Sequence, residues 1–547
     1  MKTNRRFPSP IFILLIILTL AAILRLQRIK ADPPPLFVHL TQSAGVYFDE
    51  GMYCHNARNK ILFGTWVMDD WNPLLYNAIL TGIYYAGFKL FGITIVTVKV
   101  TSILFGLLGI AFLYLAIRRY LTESSSLGIA FLFAIDYYWT MHNRIGLLEN
   151  FSALFFILSY YFLVRAKEKA WNMVLVGICV SLTVLSKYLF FYFFLTASIA
   201  VIYNALQEQK RHLIFKFYAG CFSVLALWFF SIYLPFSSAF RKIGSGWADL
   251  SWPENVGQVF FNIYRNSLPR YMSLIPLLFI VGLLFSAMVL VRLWKKNPRP
   301  DILELFLLLW IVGTFFEIAI LNYQPLRYYL PIVPGLFLAL SLVIKNRVWL
   351  QEHKKEILWI FLLLAAIFYR FWIGLVKWPS AFLAFNYPVV RILLYPALIL
   401  IFLIWLKKNR RLEVVGGLYI LCSLALSSLL VYYAQFYRFP EYKLESAAAR
   451  LRNLPPGSVL MGNEAPRLAL ETKFKSFVAF EGWFNDEDPF RIHRPTHLLV
   501  LDRFWGGELV WIQKRFPEIA ADLTLYRRFP IWDTTISLYK VKYPPDY

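Results

Sequence analysis

Charge is scarce in this chain. Only 16% of its 547 residues are Asp, Glu, Lys or Arg, whereas 59% are hydrophobic and 18% aromatic. The mean hydropathy is +0.56. This balance excludes an ordinary soluble domain and points to many membrane spans. Cysteine is scarce too. Three of the four, Cys179, Cys221 and Cys422, lie inside apolar runs and only Cys54 sits in a loop. That excludes a disulfide framework and a CxxC metal site. The histidines form no HExxH pattern, and there is no internal repeat or low-complexity tract. Acidic residues are the rarer charge, with Lys+Arg 56 against Asp+Glu 32 and a formal net charge of +24. The basic residues form no continuous face or tail, which excludes nucleic acid as the partner. They fall in short clusters between apolar runs, as the positive-inside rule expects. Some of them suit anionic membrane lipids.

What the chain has in abundance is apolar stretches of spanning length. They fall near 10–29, 93–117, 126–141, 149–165, 171–186, 188–206, 213–235, 271–291, 303–322, 328–344, 357–374, 391–406 and 413–433, about thirteen by the length rule. The N-terminus, with Lys2, Arg5 and Arg6 before Ile11–Leu24, is shaped like a signal peptide. It lacks a small-x-small cleavage site and reads as an uncleaved first helix. With its N-terminus inside, every second loop is basic, from Arg118-Arg119 through Lys210-Arg211 to Lys407, Lys408, Arg410 and Arg411. That regularity predicts a multi-pass protein of a bacterial inner (plasma) membrane with a cytoplasmic N-terminus. Three outer segments are long: 30–92, 236–270 and the tail. The expected fold is an α-helical polytopic membrane protein over 1–437 with a small α/β extracytoplasmic domain over 438–547. In the tail, strand-like runs at Ser458–Met461, Phe477–Phe480, His497–Leu501 and Thr535–Val541 alternate with helical patterns such as Leu509–Phe516.

The candidate chemistry lies on the outer face. Carboxylates are costly near a bilayer, and Asp49-Glu50 sits soon after the first span. Asp49 is read either as the cap of a short interfacial helix running through Tyr53, Ala57 and Ile61, or as a base for an acceptor hydroxyl. A second amphipathic stretch begins at Asn72-Pro73-Leu74-Leu75-Tyr76. Arg144 and Glu149 occupy the next short outer turn, as a structural ion pair or as working groups. Lys187 falls in a tight outer turn and Arg327 at the outer start of a span, as headgroup anchors or as phosphate ligands. Asp486-Glu487-Asp488 matches a DxD pattern, but no Gly-rich phosphate loop accompanies it and the run reads as an acidic surface loop. The residues leave a divalent cation open as cofactor and define no metal site.

In order along the chain, Phe48-Asp49-Glu50-Gly51-Met52-Tyr53, Asn72-Pro73-Leu74-Leu75-Tyr76, Arg144-Ile145-Gly146-Leu147-Leu148-Glu149, Ser186-Lys187-Tyr188 and Arg327-Tyr328-Tyr329-Leu330-Pro331 resemble a known family. It is the dolichyl-phosphate-mannose protein mannosyltransferases, with their bacterial aminoarabinose (lipid A) transferase-like relatives, all type-C glycosyltransferases. The resemblance implies a polyprenyl-phosphate sugar donor, a lipid, glycan or protein acceptor, and inverting transfer on the outer face. It makes Asp49 the catalytic base and Glu50 its support. Arg144, Glu149, Lys187 and Arg327 become the donor-phosphate ligands or site network, with Tyr53, Asn72 and Tyr328 nearby. Met52 and Asn72 depart from the aminoarabinose branch, which carries Arg and Lys at those places. The large soluble insertion of the eukaryotic protein mannosyltransferases is missing. Two other classes fit many spans with buried charge. One is a transporter or flippase for a lipid or lipid-linked sugar, expected to place polar groups along a path through the membrane. The other is a non-catalytic envelope scaffold, for which Asp49 would be dispensable.

Overall fold

The computed structural model describes residues 9–33, 45–241, 252–265, 276–296, 298–367, 422, 425–426, 428–430, 432–501, 507–531, 534–545 and 547. Among these residues, six helices are long and apolar enough to cross a membrane: Ile95–Ile117, Tyr188–Gln207, His212–Tyr233, Leu278–Lys295, Ile302–Ile320 and Arg327–Lys345. Shorter apolar helices run over Pro10–Leu26, Glu123–Ile135 and Asn172–Ser186. The expected span 391–406 lies outside the described residues, as do 368–374 of the span 357–374 and most of 413–433; residues 357–367 are helical. A helix of 20 residues rises about 30 Å, enough for the hydrocarbon layer.

Local sequence sets the helix ends. Thr94 accepts the Thr97 N–H at 3.1 Å and starts Ile95–Ile117. Asp301 and Glu304 form a reciprocal capping box at the start of Ile302–Ile320. Close packing within the bundle relies on small residues. A Cβ on Gly177 would lie 2.1 Å from the Phe217 carbonyl oxygen, and one on Gly220 would lie 2.0 Å from that of Val174. The helices Asn172–Ser186 and His212–Trp228 therefore touch backbone to backbone. Gly177→Leu is expected to force them apart and cost about 1–3 kcal/mol. A lower thermal unfolding midpoint in detergent would register the loss; an unchanged midpoint would contradict the contact.

The tail folds as a five-stranded mixed sheet in the order β2-β1-β3-β5-β4. The strands are β1 (Val459–Met461), β2 (Lys475–Phe477), β3 (His497–Leu501), β4 (Thr524–Ile531) and β5 (Thr534–Lys540). β1 runs parallel to β2 and β3, and β5 runs antiparallel to β3 and β4. Strand alternation feeds two cores. Leu499 and Leu501 pack with Leu444 and Leu451 on one face, while Leu498 and Val500 pack with Trp511 and Phe516 on the other. β4 has no counterpart among the expected strands. It is an edge strand whose Arg527, Arg528 and Pro530 break the apolar alternation that marks a strand in sequence.

The sheet domain is hydrogen-bonded to the helical part at several points. Asp32 accepts the backbone N–H groups of Lys443 and Leu444. The Arg58 guanidinium donates to the carbonyls of Ala469, Leu470, Thr472 and Phe474, at 2.7–3.0 Å.

Candidate active site

The Asp49-Glu50 pair lies inside a helix, Gly45–Tyr53, and the next helix runs over His55–Phe63. Asp49 thus lies inside a helix, with helical residues on both sides of it, and the helix-cap reading falls. Consecutive residues on a helix point about 100° apart. The two carboxylates therefore go to different places.

Asp49 turns toward the bundle, where four distant segments meet. Its Oδ2 lies 3.2 Å from Nε of Arg327. The same Nε is 3.3 Å from Oε1 of Glu149. Lys187 Nζ reaches that Oε1 at 2.5 Å. Tyr53, one helical turn beyond Asp49, donates its hydroxyl to Oδ2 at 3.4 Å. The Tyr328 ring backs the cations, with Lys187 Nζ 3.8 Å from its centroid. Arg327 also donates to the Tyr323 hydroxyl at 3.2 Å. Asp49, Glu149 and Arg327 are 4%, 0% and 6% exposed, so these charges are desolvated and bound to one another. Lys187 and Arg327 are thus not headgroup anchors, and Glu149 does not pair with Arg144. The acidic helix is not among the membrane-spanning helices. Burial pushes the Asp49 carboxyl up to about 6; Arg327 and Lys187 oppose that rise and Glu149 adds to it.

Three expected site residues stand elsewhere. Glu50 points to the sheet domain and the Gly146 turn: Oε2 accepts from Arg467 at 3.2 Å and Oε1 accepts the Gly146 N–H at 3.0 Å. Arg144 donates to the carbonyls of Leu24, Arg25, Gln27 and Arg28, closing the C-terminal end of the first helix, and stacks on Phe436. Its placement follows from a donor fork that matches the open carbonyls at a helix end. Asn72 accepts from Asn56 at 2.9 Å, at the start of Pro73–Phe91. The site reaches that turn through Tyr188, whose hydroxyl donates to the Leu75 carbonyl at 2.6 Å. The turn borders a cavity of about 620 Å³ lined by residues 67–75, by Phe236, Ser238 and Ala239, and by the sheet domain. Asp69, Asp70, Glu487 and Trp483 are among its lining residues, and among the described residues no Lys or Arg is.

Glu317 is a group that the sequence reading passed over. It sits inside Ile302–Ile320, near enough for Lys187 to act on its charge, and its Oε2 has no hydrogen-bond partner among the described residues. A carboxylate in an apolar run carries the same cost signal as Asp49. The DxD match dissolves into local caps: Asp488 accepts the Arg491 N–H and Asp486 the Gly482 N–H. Among the described residues, no group of three or more His, Cys, Asp or Glu side chains is placed to hold a metal ion.

Known proteins place this architecture. The model of the dolichyl-phosphate-mannose-protein mannosyltransferases matches residues 73–236. No curated protein matches the chain significantly. Among solved structures, ArnT from Cupriavidus metallidurans bound to undecaprenyl phosphate is similar at a TM-score of 0.56 and 15% identity, over 96% of this chain and 97% of that one. Its apo form is similar at 0.56 and 14%, with the same coverage. An oligosaccharyltransferase from Archaeoglobus fulgidus, tethered to an acceptor peptide, has a TM-score of 0.43 and 12% identity, over 90% of this chain and 69% of that one. The family match within the membrane part and the end-to-end likeness in fold agree with the ordered motifs: the chain resembles the dolichyl-phosphate-mannose protein mannosyltransferases and their type-C glycosyltransferase relatives.

Proposed function

We propose that this protein transfers a sugar from a polyprenyl-phosphate carrier to an acceptor hydroxyl, with inversion, on the outer face of a bacterial plasma membrane. The observation that carries the reading is the buried junction of Asp49, Arg327, Glu149 and Lys187. A carboxylate with its pKa near 6 is ionised at neutral pH and still basic enough to accept a proton as the acceptor oxygen attacks. The new bond forms from that oxygen to the anomeric carbon, and the bond from that carbon to the phosphate oxygen breaks. The proton goes to Asp49 and the electron pair to the leaving phosphate. Lys187 and Arg327 supply positive charge where negative charge grows. The sugar arrives already activated, so no nucleotide is required. The likeness to a protein crystallised with undecaprenyl phosphate supports a lipid-linked donor. A cavity whose lining includes Asp69, Asp70 and Glu487 favours an acceptor free of dense negative charge, a glycan or protein hydroxyl rather than a phosphate-rich lipid.

The test is reconstitution in nanodiscs with undecaprenyl-phosphate sugars and envelope glycolipid and glycoprotein acceptors. Release of undecaprenyl phosphate with a product of inverted anomeric configuration is expected. Movement of the intact donor between leaflets without its cleavage would replace the proposal with transport. The Asp49 carboxyl also sets a pH dependence. The base works only when ionised, so kcat/KM should be level above a pH of about 7 and fall about tenfold per unit below its raised value of about 6. A profile level down to pH of about 4 would remove Asp49 from the base role.

A further inference from the structure

We infer that the C-terminal sheet domain is a working part of the active site: through Arg467 and Glu50 it fixes the position of the helix that carries Asp49. This rests on the function proposed above for Asp49. Glu50 is 1% exposed, and its carboxylate faces Arg467, Gly146 and Lys99. Its carboxylate joins three elements. Arg467, from the short helix Ala465–Leu468 of the sheet domain, binds Oε2 at 3.2 Å. The Gly146 N–H binds Oε1 at 3.0 Å, and Lys99 Nζ stands 4.0 Å from the same oxygen.

The backbone makes a second, independent contact at this point. A Cβ on Gly51 would lie 2.3 Å from the Cα and N of Arg467 and 2.6 Å from the carbonyl carbon of Pro466. The acidic helix is therefore pressed directly on the chain that presents Arg467, and only glycine fits. Seven residues later, in the next helix, Arg58 binds four carbonyls of the same domain segment, Ala469 to Phe474. The helices Gly45–Tyr53 and His55–Phe63 are thus both held by the sheet domain.

The geometry gives this clamp leverage on chemistry. Asp49 meets Arg327 on one side of the helix, while Glu50 meets Arg467 and Gly146 on another. Turning the helix to release Glu50 withdraws Asp49 from Arg327. A displacement of about 1 Å at a reacting group costs on the order of 100-fold in rate. Glu50 and Arg467 are thus positioning residues, and the sheet domain acts on kcat rather than only on acceptor capture.

The test compares Arg467→Gln, Arg467→Lys and Gly51→Ala in the full chain, each purified as monodisperse protein. Arg467→Gln and Gly51→Ala are expected to lower kcat by about 10- to 100-fold with the donor KM within about threefold. Arg467→Lys should recover part of the loss, since an ammonium restores the charge but not the guanidinium geometry. The Asp49 carboxyl, followed by infrared titration as the difference from Asp49→Asn, should titrate at higher pH in Gly51→Ala, because the helix has left Arg327. This reading does not depend on turnover. If wild-type protein fails to cleave any donor but the titration still moves, the proposed function fails and the clamp stands. If folded Gly51→Ala and Arg467→Gln keep kcat within twofold and the Asp49 titration unchanged, the domain is merely docked and the inference is overturned.

Discussion

Asp49→Asn should leave the chain in the membrane at wild-type levels and lower donor turnover by about 100- to 10,000-fold, the usual worth of a general base. The amide has the shape of the carboxylate, so its oxygen can still accept from Arg327, 3.2 Å away, and from the Tyr53 hydroxyl. Arg327 also keeps Glu149 at 3.3 Å, so the guanidinium is not stranded. The proton-accepting capacity is lost together with one negative charge, while Glu149 still faces both cations. Asp49→Glu separates geometry from charge: it keeps the base but moves it by one methylene, and an intermediate rate is expected. Turnover of Asp49→Asn within a few-fold of wild type, on folded protein, would falsify the assignment of Asp49 as base.

The parts of this site that were legible in sequence share one signal, the cost of charge in an apolar setting. Asp49, Glu149, Lys187 and Arg327 stand in four separated segments, and the alternation of basic loops predicts one membrane face for all four. The structure joins them within hydrogen-bonding or ion-pair distance. The same signal could not tell what would meet each charge. Arg144 carries it as strongly as Arg327, yet it meets the end carbonyls of the first helix. Glu50 looked equivalent to Asp49 because neighbours in sequence point about 100° apart on a helix, and sequence alone does not say which of the two faces the bundle. Arg58 and Arg467 lie in outer segments where basic residues are ordinary, so nothing in composition marks them as links between the membrane part and the sheet domain. The helical class and three of the five strands followed from periodicity, whereas the run expected at Phe477–Phe480 meets β2 (Lys475–Phe477) only at Phe477. The edge strand β4, with Arg527-Arg528 and Pro530, did not, because an exposed edge carries no apolar alternation.

Glu149→Gln should be among the most destabilising single changes in the membrane part, by about 3–5 kcal/mol, because it strips the shared counter-charge from two buried cations. Glu149 is fully buried and binds both Lys187 and Arg327 through one oxygen. Without its charge, Asp49 alone must face both cations, and its carboxylate is drawn from base duty into ion pairing. The loss should appear as poor membrane yield and a lowered unfolding midpoint in detergent. A second substitution tells structure from chemistry. Glu149→Gln combined with Lys187→Gln removes one charge of each sign and should recover much of the stability, since Arg327 and Asp49 then pair alone. Turnover should not return with it, because the charge that Lys187 would offer the leaving phosphate is gone. Recovery of both would mean that the pair merely holds the helices together. Recovery of stability without turnover makes Lys187 part of the chemistry and Glu149 the group that allows an ammonium to be held there in the absence of the donor.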